Sequence, residues 1–504
     1  MLRLLREHRV FFLATILAAL ALRLFFFHYF PVVTDDSHSY ANFATNWLQH
    51  GIYGQTQIGP QPTNVAPSDA RLPGYPAFLA AIFCLFGVAN FKAALLAQIL
   101  FDLGTCFIVA DLARRAISGR AARIAFVLTA LCPFLANYAA AALTETLEIF
   151  FTALALDCAT AAVNRMREGW LRVDVLALWA STGAAIAACI LLRPDGGLLL
   201  AAVLIYIVYV AASAPKGMPL SAEFAALLKR NPDAKLEARP AIKLIFVNTS
   251  FAALIMMTIV AAFALAPLAP WAIRNFRAFH HFQPLAPRYA NDPGKYVPRG
   301  FNRWAKTWIA EYVSVEEIYW RVPGDVIDPL KLPSRAIENE NANTTEKDLT
   351  LAAIAAYNQS QEMTPDVDAR FAQIAAERVR AHPVRYYIVL PVLRIADMWL
   401  RPRTEILPPD VRWWEFNDDT QQSAMAVGFG LLNLAYLAAA LLALVLRSPS
   451  RPAGIRYAGL LLGFLLLRSA FLGSLENPEP RYTLECYPVV IVLASSFLAR
   501  RLPE

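Results

Sequence analysis

Long apolar segments separated by shorter polar ones dominate this chain. Ten of them are roughly long enough to cross a bilayer core, which takes about 20 helical residues. Because lipid cannot satisfy backbone N–H and C=O groups, such segments are predicted to be α-helices. The predicted spans are 10–30, 92–113, 121–138, 143–163, 172–191, 195–212, 244–267, 424–446, 455–473 and 484–499.

Two shorter apolar segments, 74–88 and 385–400, could either span the membrane or lie on it. The first is short for a span, and the second carries Arg385, Arg394 and Asp397. We expect both to form helices that lie on, or dip into, the outer leaflet. A tilted true span at 74–88 stays open.

Clusters of Lys and Arg predict the orientation of the spans, because such loops tend to stay in the cytoplasm. Arg3, Arg6 and Arg9 precede the first span. If only the ten long segments cross, every later cluster falls on that same side, and both termini are cytoplasmic. The later clusters are Arg114, Arg115, Arg120 and Arg123; Arg165, Arg167 and Arg172; Lys216, Lys229, Arg230, Lys235, Arg239 and Lys243; Arg447, Arg451 and Arg456; and Arg500 and Arg501.

Composition agrees with a polytopic membrane protein. Of the 504 residues, 57% are hydrophobic and 17% are charged, and the mean hydropathy is +0.42. The net charge of +7 requires no nucleic acid, because most of the excess lies in the predicted cytoplasmic loops. The six cysteines form no CxxC pair, so neither a disulfide framework nor a zinc site is indicated.

Two adjacent acids, Asp35 and Asp36, follow the first predicted span, and Tyr40 comes four residues later. The topology places these carboxylates at the outer surface, at headgroup depth. Such a pair suits a general base for an acceptor hydroxyl or amine, or ligands for a divalent cation on a phosphate. The alternative is a solvated turn after a helix.

Three arginines lie at the predicted outer face: Arg71, Arg274 and Arg481. A guanidinium binds phosphate bidentately, so this set suits a lipid phosphate or pyrophosphate. The alternative is that each side chain reaches the lipid headgroups without a specific partner. Within predicted spans, Glu145 and Glu148 are about one turn apart and could face one cavity, or they could form ion pairs between spans.

Several short motifs, in order along the chain, carry a family resemblance. The chain resembles the GT-C fold glycosyltransferases that use polyprenyl-phosphate sugars, a group that includes protein O-mannosyltransferases and the lipid A aminoarabinose transferase. Among these it is most similar to bacterial lipopolysaccharide galacturonosyltransferases. The motifs are Asp35-Asp36 with Tyr40, Gly51-Ile52-Tyr53, Arg71-Leu72-Pro73-Gly74-Tyr75-Pro76, Leu143-Thr144-Glu145, Leu192-Arg193-Pro194, Pro270-Trp271 with Arg274-Asn275, and Asn477-Pro478-Glu479-Pro480-Arg481-Tyr482.

The resemblance implies an all-α polytopic membrane protein with about ten transmembrane helices, outer juxtamembrane helices and a mostly helical periplasmic cap. It implies a transmembrane module at 1–267 with a catalytic loop at 31–91, a periplasmic region at 268–423, and C-terminal helices at 424–504. The implied location is a bacterial inner membrane, with the active site facing the periplasm or exterior. A monomer is expected, with membrane lipids as further partners.

The implied reaction moves a sugar with inversion from an undecaprenyl-phosphate-type carrier to lipid A, core oligosaccharide or another glycan. One of Asp35 and Asp36 would be the base, with Glu145 also catalytic, and a divalent cation near the two acids stays open. The implied substrate-binding residues are Tyr40, Arg71, Tyr75, Arg193, Arg274, Glu479, Arg481 and Tyr482.

Two other functions remain alternatives. A protein O-glycosyltransferase of the same fold would keep the chemistry and change the acceptor. A lipid-linked sugar flippase or transporter should show repeated halves or broken helices at the midplane, and the sequence shows neither. The sequence does not determine the sugar, the acceptor or which of the two acids is the base.

Overall fold

The computed structural model describes residues 1–56, 64–213, 239–291, 294–322, 324–338, 344–416, 419–446 and 457–501, with the backbone alone at 239–248. The predicted cytoplasmic clusters at 214–238 and 447–456 therefore lie outside the described residues. The chain divides into two compact units. The first holds Met1–Pro293, Tyr436–Leu465 and Glu485–Glu504, and the second holds Gly294–Ala435 and Leu466–Leu484. The functional division at 267 and 423 stays a prediction.

The described chain is mainly helical, with one small antiparallel sheet of β1 (Gly54–Thr56) and β2 (Val65–Pro67). The α-helices are α1 Leu2–Glu7, α2 Arg9–Tyr29, α3 Asp35–His50, α4 Gly74–Phe86, α5 Phe91–Ala116, α6 Gly119–Ala130, α7 Pro133–Tyr138, α8 Glu145–Arg165, α9 Val173–Leu192, α10 Gly197–Ala212, α11 Arg239–Leu265, α12 Leu268–Phe279, α13 Arg299–Lys306, α14 Tyr312–Ser314, α15 Ser334–Ile337, α16 Thr344–Ser360, α17 Pro365–Ala381, α18 Leu390–Leu400, α19 Thr420–Val445, α20 Ala458–Gly473 and α21 Tyr487–Arg501.

Seven helices of the described chain are long and apolar enough to cross a membrane, which makes this a multi-pass membrane protein. Each coincides with a predicted span. They are Arg9–Tyr29, Phe91–Ala116, Glu145–Glu168, Val173–Leu192, Pro194–Ala212, Thr420–Val445 and Pro480–Arg501. An eighth candidate is a helix pair, Thr249–Leu265 and Leu268–Phe279, bent by 45° where 244–267 was predicted.

The described residues do not confirm the predicted count of ten, because two predicted spans take another form. The segment predicted as one span at 121–138 is not one continuous helix, since it forms the short helices α6 and α7 with a break before Pro133. Proline disfavours helical geometry in the residue before it. The Arg23 guanidinium, paired with Asp102 at 2.6 Å, donates to the Thr129 and Ala130 carbonyls where α6 ends. The predicted span 455–473 is the 16-residue helix α20, shorter than the seven.

The two ambiguous segments are helical, as predicted. Helix α4 covers most of 74–88, and 385–400 forms a π-helix at Arg385–Val389 that continues into α18. Their position in the membrane stays a prediction.

The described part of 268–423 is also mostly helical, which confirms that feature of the predicted cap. Its second-unit part has its own core, in which Trp304, Trp308, Tyr357 and Phe371 are fully buried.

Candidate active site

The helix that carries the acid pair begins at a well-formed cap. The Thr34 hydroxyl accepts from the Ser37 N–H at 3.3 Å, and the Ser37 hydroxyl accepts from the Thr34 N–H at 2.9 Å. This reciprocal capping box starts α3 and puts both Asp35 and Asp36 in its first turn. Carboxylates there are favoured by the positive end of the helix dipole. The cap therefore fixes both acids a few residues beyond the first long apolar helix.

Asp36 and Arg71, two predicted site residues, form an ion pair. The Arg71 Nη2 donates to Asp36 Oδ1 at 2.6 Å, and the side chains are 27% and 31% exposed. The guanidinium also lies over the Tyr40 ring, 5.2 Å from its centroid. Asp35, in the same turn, is exposed. The two acids therefore differ: Asp36 is held by the arginine, while Asp35 faces solvent.

Tyr40 lies at the centre of this group. Burial raises its pKa to about 12, opposed by the nearby Arg71 charge, so the hydroxyl stays protonated at neutral pH. Its ring meets the Tyr75 ring edge-on at 5.1 Å. The Tyr75 hydroxyl donates to Gln98 Oε1 at 2.6 Å, and Gln98 Nε2 donates to the Ala141 carbonyl at 2.7 Å.

The loop that carries Arg71 is held on two sides. The Tyr53 hydroxyl donates to the carbonyls of Arg71 and Leu72, each at 3.0 Å. Gly74, which starts α4, lies against α9: a Cβ there would be 2.5 Å from the Leu191 carbonyl oxygen. Glycine at this position therefore allows the close helix contact that sets the direction of the loop.

Arg274 organises the same loop from the other end. Its guanidinium donates to the Ser68 carbonyl at 2.9 Å and to the Tyr53 carbonyl, and it packs over the Tyr53 and Trp271 rings. These contacts make it a positioning residue for the segment that leads to Arg71. Its predicted contact with a phosphate stays a prediction.

A second charged cluster surrounds Arg193. Its guanidinium nitrogens lie 3.7 Å from Glu145 Oε1, 3.7 Å from Glu148 Oε2 and 3.4 Å from Asp195 Oδ1. Glu145 and Glu148 are 2% exposed, and Glu485 lies beside Glu148. Two of these acids, Asp195 and Glu485, were not predicted as site residues from the sequence. Glu485 carried a usable signal, since it is a charge in a predicted span.

The two clusters are neighbours. The charges of Arg193 and Glu145 both act on the Tyr40 hydroxyl, as do those of Arg71 and Asp36. The backbone joins them too, because the Val32 N–H donates to the Ala140 carbonyl at 2.9 Å and the Val32 carbonyl accepts from the Ala142 N–H at 3.0 Å. The first unit therefore brings together six predicted site residues, Tyr40 and five that surround it. Besides Tyr40 itself, they are Asp36, Arg71, Tyr75, Glu145 and Arg193.

Three further predicted residues, Glu479, Arg481 and Tyr482, form a cluster within the second unit. Arg481 Nε lies 2.5 Å from Glu479 Oε2, and the Tyr482 hydroxyl donates to Glu479 Oε1. The Arg481 guanidinium lies over the Tyr482 ring, 5.3 Å from its centroid. The contact of Arg481 with the same phosphate as Arg71 stays a prediction, as does substrate binding by Glu479 and Tyr482.

A metal site is not formed by protein groups alone within the described ranges: no three His, Cys, Asp or Glu side chains converge to hold an ion there. Asp35 and Asp36 would supply two carboxylates. A cation beside them would take its remaining ligands from water or from a substrate phosphate.

Comparison with known proteins supports the resemblance over part of the chain. Residues 67–228 match the family model described as dolichyl-phosphate-mannose-protein mannosyltransferase. This segment contains Arg71, Tyr75, Glu145 and Arg193, so the glycosyltransferase resemblance is confirmed there. No curated protein sequence matches the chain.

Solved structures of membrane glycosyltransferases are similar at low identity. The oligosaccharyltransferase AglB from Archaeoglobus fulgidus, in complex with an inhibitory peptide and a dolichol-phosphate, is 12% identical, with a TM-score of 0.45 and coverage of 98% of this chain and 50% of that one. ArnT from Cupriavidus metallidurans, bound to undecaprenyl phosphate, is 14% identical, with a TM-score of 0.33 and coverage of 97% and 77%. The chain thus spans half the length of the archaeal enzyme.

Proposed function

We propose that this protein is an inverting glycosyltransferase that takes its sugar from a polyprenyl-phosphate-type lipid carrier. The observation that carries the proposal is the Asp36–Arg71 ion pair beside Tyr40, in a turn that directly follows a long apolar helix. An acid pair and a guanidinium at the end of such a helix suit a substrate whose phosphate lies at headgroup depth. The family model over 67–228 supports a prenyl-phosphate donor.

Arg71 is the proposed phosphate ligand. A guanidinium has five N–H donors, and the contact with Asp36 runs through Nη2. The side chain is 27% exposed, so a phosphate can approach its other donors. Asp36 and the Tyr40 ring would hold the planar group in a fixed orientation, which lowers the entropy lost when the phosphate binds.

Asp35 is the proposed general base, because it is exposed while Asp36 is engaged by Arg71. Its carboxylate would accept the proton of the acceptor hydroxyl or amine as the nucleophile attacks the anomeric carbon. The bond from that carbon to the phosphate oxygen breaks on the opposite face, and the phosphate leaves with the electron pair. Arg71 would stabilise the negative charge that grows on this phosphate.

Glu145 is proposed to act through Arg193 rather than on the substrate directly. The buried carboxylates of Glu145 and Glu148 hold Arg193 in place, and the charges of Arg193 and Glu145 reach the Tyr40 hydroxyl. In this proposal Tyr40, Tyr75 and Arg193 shape the sugar pocket. Arg274 would keep the Arg71 loop in position, and the Glu479–Arg481–Tyr482 cluster is proposed to bind substrate.

We place the reaction at the outer face of a bacterial inner membrane, with lipid A, core oligosaccharide or another glycan as acceptor. A protein acceptor is the second candidate, and the description of the family model favours it.

The test uses the purified full chain in detergent with short-chain polyprenyl-phosphate sugars. Candidate acceptors are a glycolipid extract from a deletion strain and a peptide library. Release of polyprenyl phosphate and the mass of the modified acceptor are followed by mass spectrometry. We expect release with at least one donor–acceptor pair, abolished in Asp35→Asn. No release with any donor, or equal release by the variant, would contradict the proposal.

A further inference from the structure

The loop that carries Arg71 contains another acid, Asp69, two residues earlier in the chain. The Asp69 side chain is 2% exposed, and His281 Nε2 lies 3.7 Å from its Oδ2. The charge of Asp69 also acts on the Arg274 guanidinium. A carboxylate removed from water is costly unless nearby cations compensate its charge. Asp69 is therefore held against two basic side chains, of which one is permanently charged and the other is a histidine.

The turn after α12 sets the direction of the His281 ring. His280 caps that helix with a φ of 56°, in the left-handed region that histidine adopts more often than most residues. His281 then lies beside Phe279, with ring centroids 5.8 Å apart and its Nδ1 3.3 Å from the Phe279 carbonyl oxygen. A carbonyl oxygen only accepts, so Nδ1 donates and carries a proton. The other ring nitrogen, Nε2, is the one that faces Asp69.

The protonation of Nε2 decides whether this contact attracts or repels. With Nδ1 protonated, a neutral imidazole would turn the Nε2 lone pair toward the Asp69 carboxylate. An imidazolium would instead present an N–H group and a positive charge. The His281 side chain is 47% exposed, so the neutral ring can turn into water. Histidine is the side chain whose charge ordinarily changes between pH 5 and pH 8.

The other charged side chains of the two packed segments are directed elsewhere. On the loop, Arg71 forms the ion pair with Asp36. On α12, Arg274 donates to the backbone carbonyls described above, and Arg277 is exposed. Asp69 is therefore the charged group of the loop that pairs with His281.

We propose that Asp69 and His281 are positioning residues for Arg71, and that their contact forms when His281 is protonated and is lost when it is neutral. The inference rests on the proposed function, which assigns Arg71 to the donor phosphate. The Ser68 carbonyl is already held, so the Asp69 contact fixes the next residue of the same segment. When the contact is lost, the loop loses one of its attachments and the donor binds less tightly.

The first test measures the order of the loop without any transfer reaction. Hydrogen exchange of peptides covering 65–73 is followed in the purified full chain in detergent, and each variant is compared with the wild type at the same pH. At pH 6, His281→Gln should exchange about two- to fivefold faster than the wild type, the range for one partly exposed ion pair. At pH 8 the two should exchange alike. His281→Lys keeps a positive charge and should stay protected at both pH values.

The matched control is His280→Asn, at the neighbouring exposed histidine, because asparagine also adopts the left-handed conformation. It should exchange like the wild type at both pH values. In an Asp69→Asn background, His281→Gln should have no further effect. Equal exchange of the wild type and His281→Gln at pH 6 would overturn the proposal. So would loss of protection in His281→Lys at pH 8.

A second measurement connects the contact to the donor. The donor KM of the wild type, divided by that of His281→Lys, should be near one at pH 6 and rise about two- to fivefold at pH 8. The corresponding kcat ratio should not change. A constant KM ratio beside the expected exchange pattern would overturn the positioning role. The exchange pattern in a chain that transfers no sugar would instead contradict the proposed function and support the contact.

Discussion

The Asp36 carboxylate and the Arg71 guanidinium, 35 residues apart in sequence, meet at 2.6 Å. The contact joins the start of α3 to the turn that precedes α4. It also distinguishes the two adjacent acids, because Asp36 is paired with Arg71 while Asp35 stays exposed. Each part of the proposed mechanism can therefore be changed separately.

Asp35→Asn removes the proposed base and keeps the side-chain shape. We expect the rate of sugar transfer to fall by at least about 100-fold, the usual scale for losing a general base. Asp36→Asn should act differently, by loosening Arg71 and raising the KM for the donor. Steady-state kinetics with one donor–acceptor pair would separate the two effects. Asp325→Asn, an exposed acid of the second unit, is the control. Wild-type kinetics in both active-site variants would remove these acids from the mechanism.

Arg71→Lys keeps the charge and loses the planar fork. If Arg71 holds the donor phosphate, kcat/KM should fall by an amount corresponding to roughly 1–3 kcal/mol, and equally with short-chain and long-chain donors. Arg277→Lys, an exposed position on α12, serves as the matched control. If Arg71 only reaches lipid headgroups, the lysine variant will behave like the wild type.

The raised pKa of Tyr40 predicts a loss of stability in alkali. Because the folded chain holds this proton up to a pKa of about 12, against an ordinary value of 10, the stabilisation is complete below pH 10 and declines as the pH rises from 10 to 12. Burial raises the pKa of Tyr53 in the same direction. Thermal melts monitored by fluorescence at pH 8 to 11 should show a falling Tm, and Tyr40→Phe should fall less steeply. Parallel curves would contradict this assignment.

Gly74→Ala tests the close contact between α4 and α9. The added methyl group would lie 2.5 Å from the Leu191 carbonyl oxygen, so the helices must shift, at a cost of about 1–3 kcal/mol. Gly197→Ala is a suitable control, since a Cβ at Gly197 meets nothing within 4 Å. We expect a lower Tm for the first variant only. Equal Tm values for the two variants would refute the tight packing.

Sequence patterns predicted most of the long helices because a span is a local property of apolar length. They did not predict the break at 121–138, where one local and one tertiary feature interrupt a continuous apolar run. Pro133 interrupts the helical ladder, and Arg23, a hundred residues earlier, takes up the freed carbonyls at Thr129 and Ala130. A buried arginine in a predicted span signals a partner, but not which one.

The sequence predicted which residues belong to the candidate site better than it predicted which of them contact one another. Asp36, Arg71, Glu145 and Arg193 stand in short motifs that the sequence displays directly. That Asp36 rather than Asp35 receives Arg71 depends on the helical phase that the Thr34 cap imposes. The engagement of Arg274 with backbone carbonyls likewise follows from a loop fold that no local pattern encodes.

The short backbone pairing between Val32 and the segment around Ala141 has a practical consequence for protein engineering. It anchors the linker before Asp35 to the linker before Glu145. This one pairing therefore sets where both linkers place their acids, Asp35 and Asp36 on one side and Glu145 on the other. A change of substrate preference by segment exchange should therefore replace 31–40 and 137–145 together. Replacing either segment alone would lose the match between Val32 and Ala141.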